Sequence, residues 1–169
     1  MIRYSKGKSG IPITLIISGL AVLLVLIWIF KPRIEILHEQ TPIVTCRNNM
    51  KYLGLAIQMY ADENSDSYPL PEKWCDLISP SLGDLANKIF YCPAMKDNQC
   101  YYAMNPNCKP TSPPDTVLLF ETQNSSLNLS GGPELLSIDN HEGQACNVLF
   151  NDGSIKRIKK DEIVTLKWN

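Results

Sequence analysis

Six cysteines, Cys46, Cys75, Cys92, Cys100, Cys108 and Cys146, and one histidine among carboxylates, His141 with Asp139, Glu142 and Asp152, are the side chains here with chemistry beyond packing. The thiols admit disulfides, a zinc site or a redox pair. No two are spaced C-x-x-C, which weakens the zinc and redox readings and leaves disulfides as the expectation. Cys92, Cys100 and Cys108 recur every eight residues. A bridge between two of those three closes the shortest loop and is the expected local pairing. Cys46 reads equally well as a small buried hydrophobe.

His141 and its carboxylates could hold a metal or pass a proton, since imidazole and carboxylate are borderline and hard ligands. Their spacing matches no strong metal motif. The simpler reading makes Asp152 a turn residue and His141 a loop residue bonded to the backbone. Neither G-x-S-x-G, G-x-x-x-x-G-K-[ST] nor H-E-x-x-H occurs, and Ser130-Gly131-Gly132-Pro133 is a glycine turn with no following lysine, best read as a surface loop. No catalytic residue is assigned, and the expectation is a protein that is not an enzyme.

The frame that must position these side chains begins with an apolar run. Residues 11–30, IPITLIISGLAVLLVLIWIF, carry no charge. At about 1.5 Å per helical residue they match the roughly 30 Å hydrocarbon layer, so a transmembrane helix is expected there. A cleaved secretory signal would have a shorter apolar region and a small-x-small site, whereas WIFKPR follows here. Arg3, Lys6 and Lys8 precede the run, against Lys31 and Arg33 after it, which favours a cytoplasmic N-terminus under the positive-inside rule. The expected organisation is a basic leader at 1–10, the span at 11–30 and a domain at 31–169 outside the cytoplasmic membrane. An even number of cysteines in that domain suits an oxidising compartment. After Phe30 stand 13 basic and 17 acidic residues, a net charge of −4 that argues against a nucleic-acid partner.

Lys31-Pro32 and Thr41-Pro42 predict a kink or break in any helix crossing them. Beyond, Cys46, Met50, Leu53, Ile57 and Tyr60 repeat at spacings of four and three, the pattern of an amphipathic helix over about 42–62 capped by Thr41. From Pro69 to Pro114 the chain is rich in Pro, Asn and Cys and reads as loops, with a short helix around 80–89. VLLFE at 117–121 and NVLFN at 147–151 read as short buried strands, and SIKRI at 154–158 alternates. Asp152-Gly153 signals a two-residue hairpin turn between the last two. The fold class expected is α+β, with the amphipathic helix packed on a small antiparallel sheet.

In order along the chain stand TCRNNMKYLGLAIQMYADENSDSYP, YCPAMKD, YYAMNPN, PDTVLLFE and NHEGQACNVLFNDGSIKRI. In these residues the sequence resembles pilin-like proteins with a prepilin-type N-terminal segment and a C-terminal domain named for a His, nine residues and Asp-Gly, over about 43–158. His141, Asp152 and Gly153 are the counterparts of that motif, with ten residues between His141 and Asp152. The resemblance extends to type II secretion pseudopilins. It implies a fold in which an N-terminal helix packs its outer half on a small antiparallel sheet. It implies a structural role, with leader removal between Gly10 and Ile11 and stacking of subunits in a type IV pilus or type II secretion assembly. Leu15 stands where the family has a glutamate. The partners implied are the lipid bilayer, other pilin-like subunits and secretion machinery. Related pseudopilins bind calcium, so calcium is the one cofactor the resemblance suggests, with no ligands to carry over. Two other roles fit the residues: an extracytoplasmic thiol- or metal-dependent enzyme on a pilin-like scaffold, and an anchored binding domain that does not polymerise.

Overall fold

The computed structural model of the chain describes residues 13–93, 95, 99–141, 143 and 145–169, with backbone alone at 13 and 30–41. Helix α1 (Ile13–Glu63) is followed by a 3₁₀ turn at Pro71–Lys73, α2 (Trp74–Leu82), a 3₁₀ turn at Gly83–Leu85 and α3 (Ala86–Ile89). Strands β1 (Tyr102–Met104), β2 (Val117–Glu121), β3 (Ala145–Phe150) and β4 (Ile155–Lys159) form one antiparallel sheet in sequence order. The chain divides into two units, Met1–Glu39 and Gln40–Asn169.

The transmembrane helix expected from the sequence is overturned: no helix among the described residues is long and apolar enough to cross a membrane. The leader at 1–10 and the processing site at Gly10 and Ile11 lie outside the described residues.

The break expected at the prolines is also corrected, because the backbone is helical through both Pro32 and Pro42. Each interior proline costs about 3 kcal/mol through one lost hydrogen bond and a crowded carbonyl. Beyond Pro42, however, Met50, Leu53 and Ile57 are fully buried, each contributing about 1.5–3 kcal/mol, so the helix that carries them is held despite the prolines.

That buried stripe meets one face of the sheet. Met50, Leu53, Ala56 and Ile57 join Tyr102, Met104, Leu118, Leu119 and Leu149, with Trp74 and Ile78 of α2 closing the side. The approach is closest at Gly54, where a Cβ would lie 2.7 Å from Leu149 Cδ2. Tyr68 ties the end of α1 to the sheet, receiving a hydrogen bond from Gln58 at 2.8 Å and donating to Asn151 Oδ1 at 2.7 Å.

The opposite sheet face is covered as well. Ala103, Val117, Phe120, Cys146, Val148, Phe150 and Ile158 pack under Leu129, Leu135, Leu136 and Ile138 of a long connection and under Ile163, Leu166 and Trp168 of the C-terminus. Burial on both faces is why β2 and β3 read as continuous apolar runs rather than alternating ones.

Two further expectations change. Residues 71–89 are mostly helical rather than looped. Pro71 opens a first turn, where its missing N–H is harmless, and Trp74, Cys75 and Ile78 form an inward face. The β3–β4 connection holds three residues, not two. Gly153 N donates to Phe150 O at 2.9 Å, Phe150 N to Ser154 O at 2.9 Å, and only Gly153 has positive φ, at +80°. This is a type I turn followed by a glycine bulge.

Candidate functional site

Cys46 opens the buried stripe of α1, and the same face carries Asn49, whose Nδ2 donates to Tyr91 O at 2.9 Å. That bond holds the segment after α3 against the helix and brings Cys92 beside Cys46. His141 arrives from the far end of the chain, on a 3₁₀ turn at Asp139–His141. Asp139 N donates to Ser137 Oγ at 3.1 Å, and buried Asn140 Nδ2 donates to Thr122 O at 2.9 Å, which fastens the turn to the end of β2. The Sγ atoms of Cys46 and Cys92 and one ring nitrogen of His141 lie within 4.8 Å of one another. All three residues are buried.

A carboxylate organises this cluster. Glu121, the last residue of β2, is fully buried. Its Oε1 lies 3.1 Å from His141 Nε2 and accepts from Asn147 Nδ2 at 3.0 Å, while Oε2 accepts from Asn147 N at 2.7 Å. A buried carboxylate persists only with partners of this kind. Burial by itself lowers the basicity of His141, but the hydrogen bond and negative charge of Glu121 outweigh it, and the imidazole pKa is raised above its usual 6.5.

Among the thiols, Cys46 is hydrogen-bonded with Cys92. That bond, burial, and the charges of Cys92 and Glu121 push its pKa far above the ordinary thiol range. A second pair repeats the motif: the hydrogen bond with Cys100, with burial, raises Cys75, while the same bond lowers Cys100 against its own desolvation. Burial raises Cys108 to about 11 and Cys146 to about 12.

The expected disulfides are not formed, and all six cysteines stand as buried thiols. The neighbours also differ from the expected local bridge: Cys92 meets Cys46 and Cys100 meets Cys75, so neither pair joins two of Cys92, Cys100 and Cys108. Helix α1 and α2 bring in partners from far along the chain, which spacing alone does not register.

The carboxylates named with His141 are not gathered there either. Asp139 is exposed, Glu142 lies outside the described residues, and Asp152 is exposed on the β3–β4 turn, accepting from Ser154 N at 2.8 Å. Strand β3 separates His141 from Asp152 and Gly153 by roughly 20 Å of extended chain. His141 is thus a buried partner of Glu121 rather than a loop residue bonded to backbone. Glu121 escaped the sequence reading, although a glutamate closing the apolar run VLLF was a usable signal.

The arrangement supplies two soft thiol ligands and one imidazole, oriented by a carboxylate. It can join Cys46 and Cys92 in a disulfide, or hold a thiophilic cation. No protein-family model, curated protein or solved structure matches the chain.

Proposed function

We propose that the chain is a pilin-like or pseudopilin-like structural subunit, held at the outer face of the bacterial cytoplasmic membrane through its N-terminal unit and joining other pilin-like subunits of a pilus or secretion assembly. One observation carries this reading: a single α1 serves two environments. Its second half buries a stripe on a four-stranded antiparallel sheet, whereas its first half exposes Leu15, Ile16, Ile17, Leu20, Leu23 and Leu24. Exposed apolar side chains in such number mark a surface made for association. The burial of Cys46, Cys92 and His141 suits a fastening better than a site of turnover.

The test places one cysteine on the exposed half of α1, as Leu23→Cys, in the full chain reconstituted in lipid vesicles, and adds a short bifunctional maleimide. The native thiols are buried and serve as a silent background. A cross-linked dimer is the expected result, since one reactive thiol per chain can join only two chains. A single monomer band under the same conditions overturns assembly and leaves an anchored binding domain that does not polymerise.

A further inference from the structure

We infer that Cys46, Cys92 and His141 form a zinc site that clasps α1 to the two segments flanking it, independently of whether the chain assembles. The three residues come from a helix, the segment after α3 and a 3₁₀ turn. Two thiolates and one imidazole are a donor set typical of zinc. A tetrahedral ion with metal–sulfur bonds of about 2.3 Å needs its sulfurs about 3.8 Å apart. Ligand atoms already within 4.8 Å of one another reach that geometry by small side-chain rotations.

Three further features fit a cation better than a disulfide. A disulfide uses two of these residues, whereas zinc uses all three. Glu121 grips the His141 ring at 3.1 Å and is itself fixed by Asn147, the outer-shell carboxylate arrangement that orients metal-binding imidazoles. Cys92 also lines an open surface pocket of about 390 Å³ with Thr45, Asn49, Asn87, Lys88 and Tyr91, which gives an ion a way in. The Cys75–Cys100 pair is an internal contrast: among the described residues it has no third ligand, so it stays a thiol pair.

Binding proceeds without redox change. The Cys46 and Cys92 thiols each lose a proton to solvent, the imidazole binds as the neutral base, and the two thiolate charges balance Zn²⁺. The ion then links α1 to the segment at Cys92 and the turn at His141, and binding energy becomes folding stability.

The experiment titrates reduced, metal-stripped full-length chain with Zn²⁺, and in parallel with Co²⁺, whose visible absorption reports tetrahedral thiolate coordination. One zinc per chain retained after dialysis is expected, with a higher melting temperature than the metal-free chain. Cys46→Ser, Cys92→Ser and His141→Gln each lose at least tenfold in affinity, Glu121→Gln weakens binding about 10- to 100-fold, and Cys75→Ser retains it. Because ligand variants can misfold, the wild-type titration decides by itself: a folded, reduced chain that takes up no zinc overturns the site. Loss of zinc in Cys75→Ser equal to that in Cys92→Ser overturns it too. So does a Cys46–Cys92 disulfide in the chain isolated from membranes without reductant, which assigns the pair to cross-linking instead.

Discussion

Glu121 concentrates more consequence than any other single side chain. It answers two donors of Asn147 and the ring of His141 while fully buried itself, so its removal strands several polar groups at once. Glu121→Ala should lower stability by about 3–5 kcal/mol, read from urea unfolding, whereas Glu121→Gln should cost clearly less because it keeps the shape and part of the bonding. A second expectation concerns alkali. Cys108 and Cys146 have folded pKa values raised by burial to about 11 and about 12, above the ordinary 9.0. A raised folded pKa gives stability that is complete below the unfolded pKa and is lost as pH climbs towards the folded one. The urea midpoint should therefore fall between about pH 9 and about pH 12, and Cys146→Ala should flatten that fall; an unchanged midpoint would show that the thiols titrate alike in both states. At this scale the sequence was a poor guide. His141 and Glu121 are 20 positions apart, and Glu121 and Asn147 are 26 apart. Only strand register brings them together, and no spacing rule encodes that.

Elements were more legible where periodicity acts alone. The stripe through Cys46, Met50, Leu53 and Ile57 gave the buried helix, and VLLFE and NVLFN gave two strands. The helical run from 71 to 89 was hidden by its prolines, although Trp74, Cys75 and Ile78 kept helical spacing. The three-residue hairpin was hidden because Asp-Gly serves both turn types and only backbone angles separate them. Substitutions at two glycines probe these elements. Gly54→Leu should destabilise by about 2 kcal/mol or more, since even a Cβ meets Leu149; Gly54→Ala should be nearly neutral, as gained helix propensity of about 1 kcal/mol offsets a shift of Leu149. Gly153→Ala should cost about 1 kcal/mol through its φ of +80° alone, with open space around it. Thermal unfolding of the three variants separates crowding from backbone strain.

The molecule as a whole divides at Glu39 and Gln40, and among the described residues the second unit contains all three buried hydrophobic clusters and every strand. A fragment of residues 40–169 should therefore fold alone, unfold in one cooperative step, and run as a monomer by size-exclusion chromatography with light scattering. Self-association of that fragment equal to the full chain's would move the assembly surface out of the first unit. Organisation at this scale was read from hydropathy, which recognises an apolar run, whereas among the described residues no helix is long and apolar enough to cross a membrane.

The stripe on α1 also sets a timetable for synthesis. Ile43 O and Asn147 Nδ2, which meet at 3.5 Å, are separated by 104 positions, and Tyr68 reaches Asn151 across 83. A ribosome adding about 5–20 residues per second leaves Met50, Leu53 and Ile57 without their sheet for roughly 5–20 s. Through that interval the nascent chain carries an uncovered sticky helix, and whatever shields it in the cell must act before the last hairpin emerges.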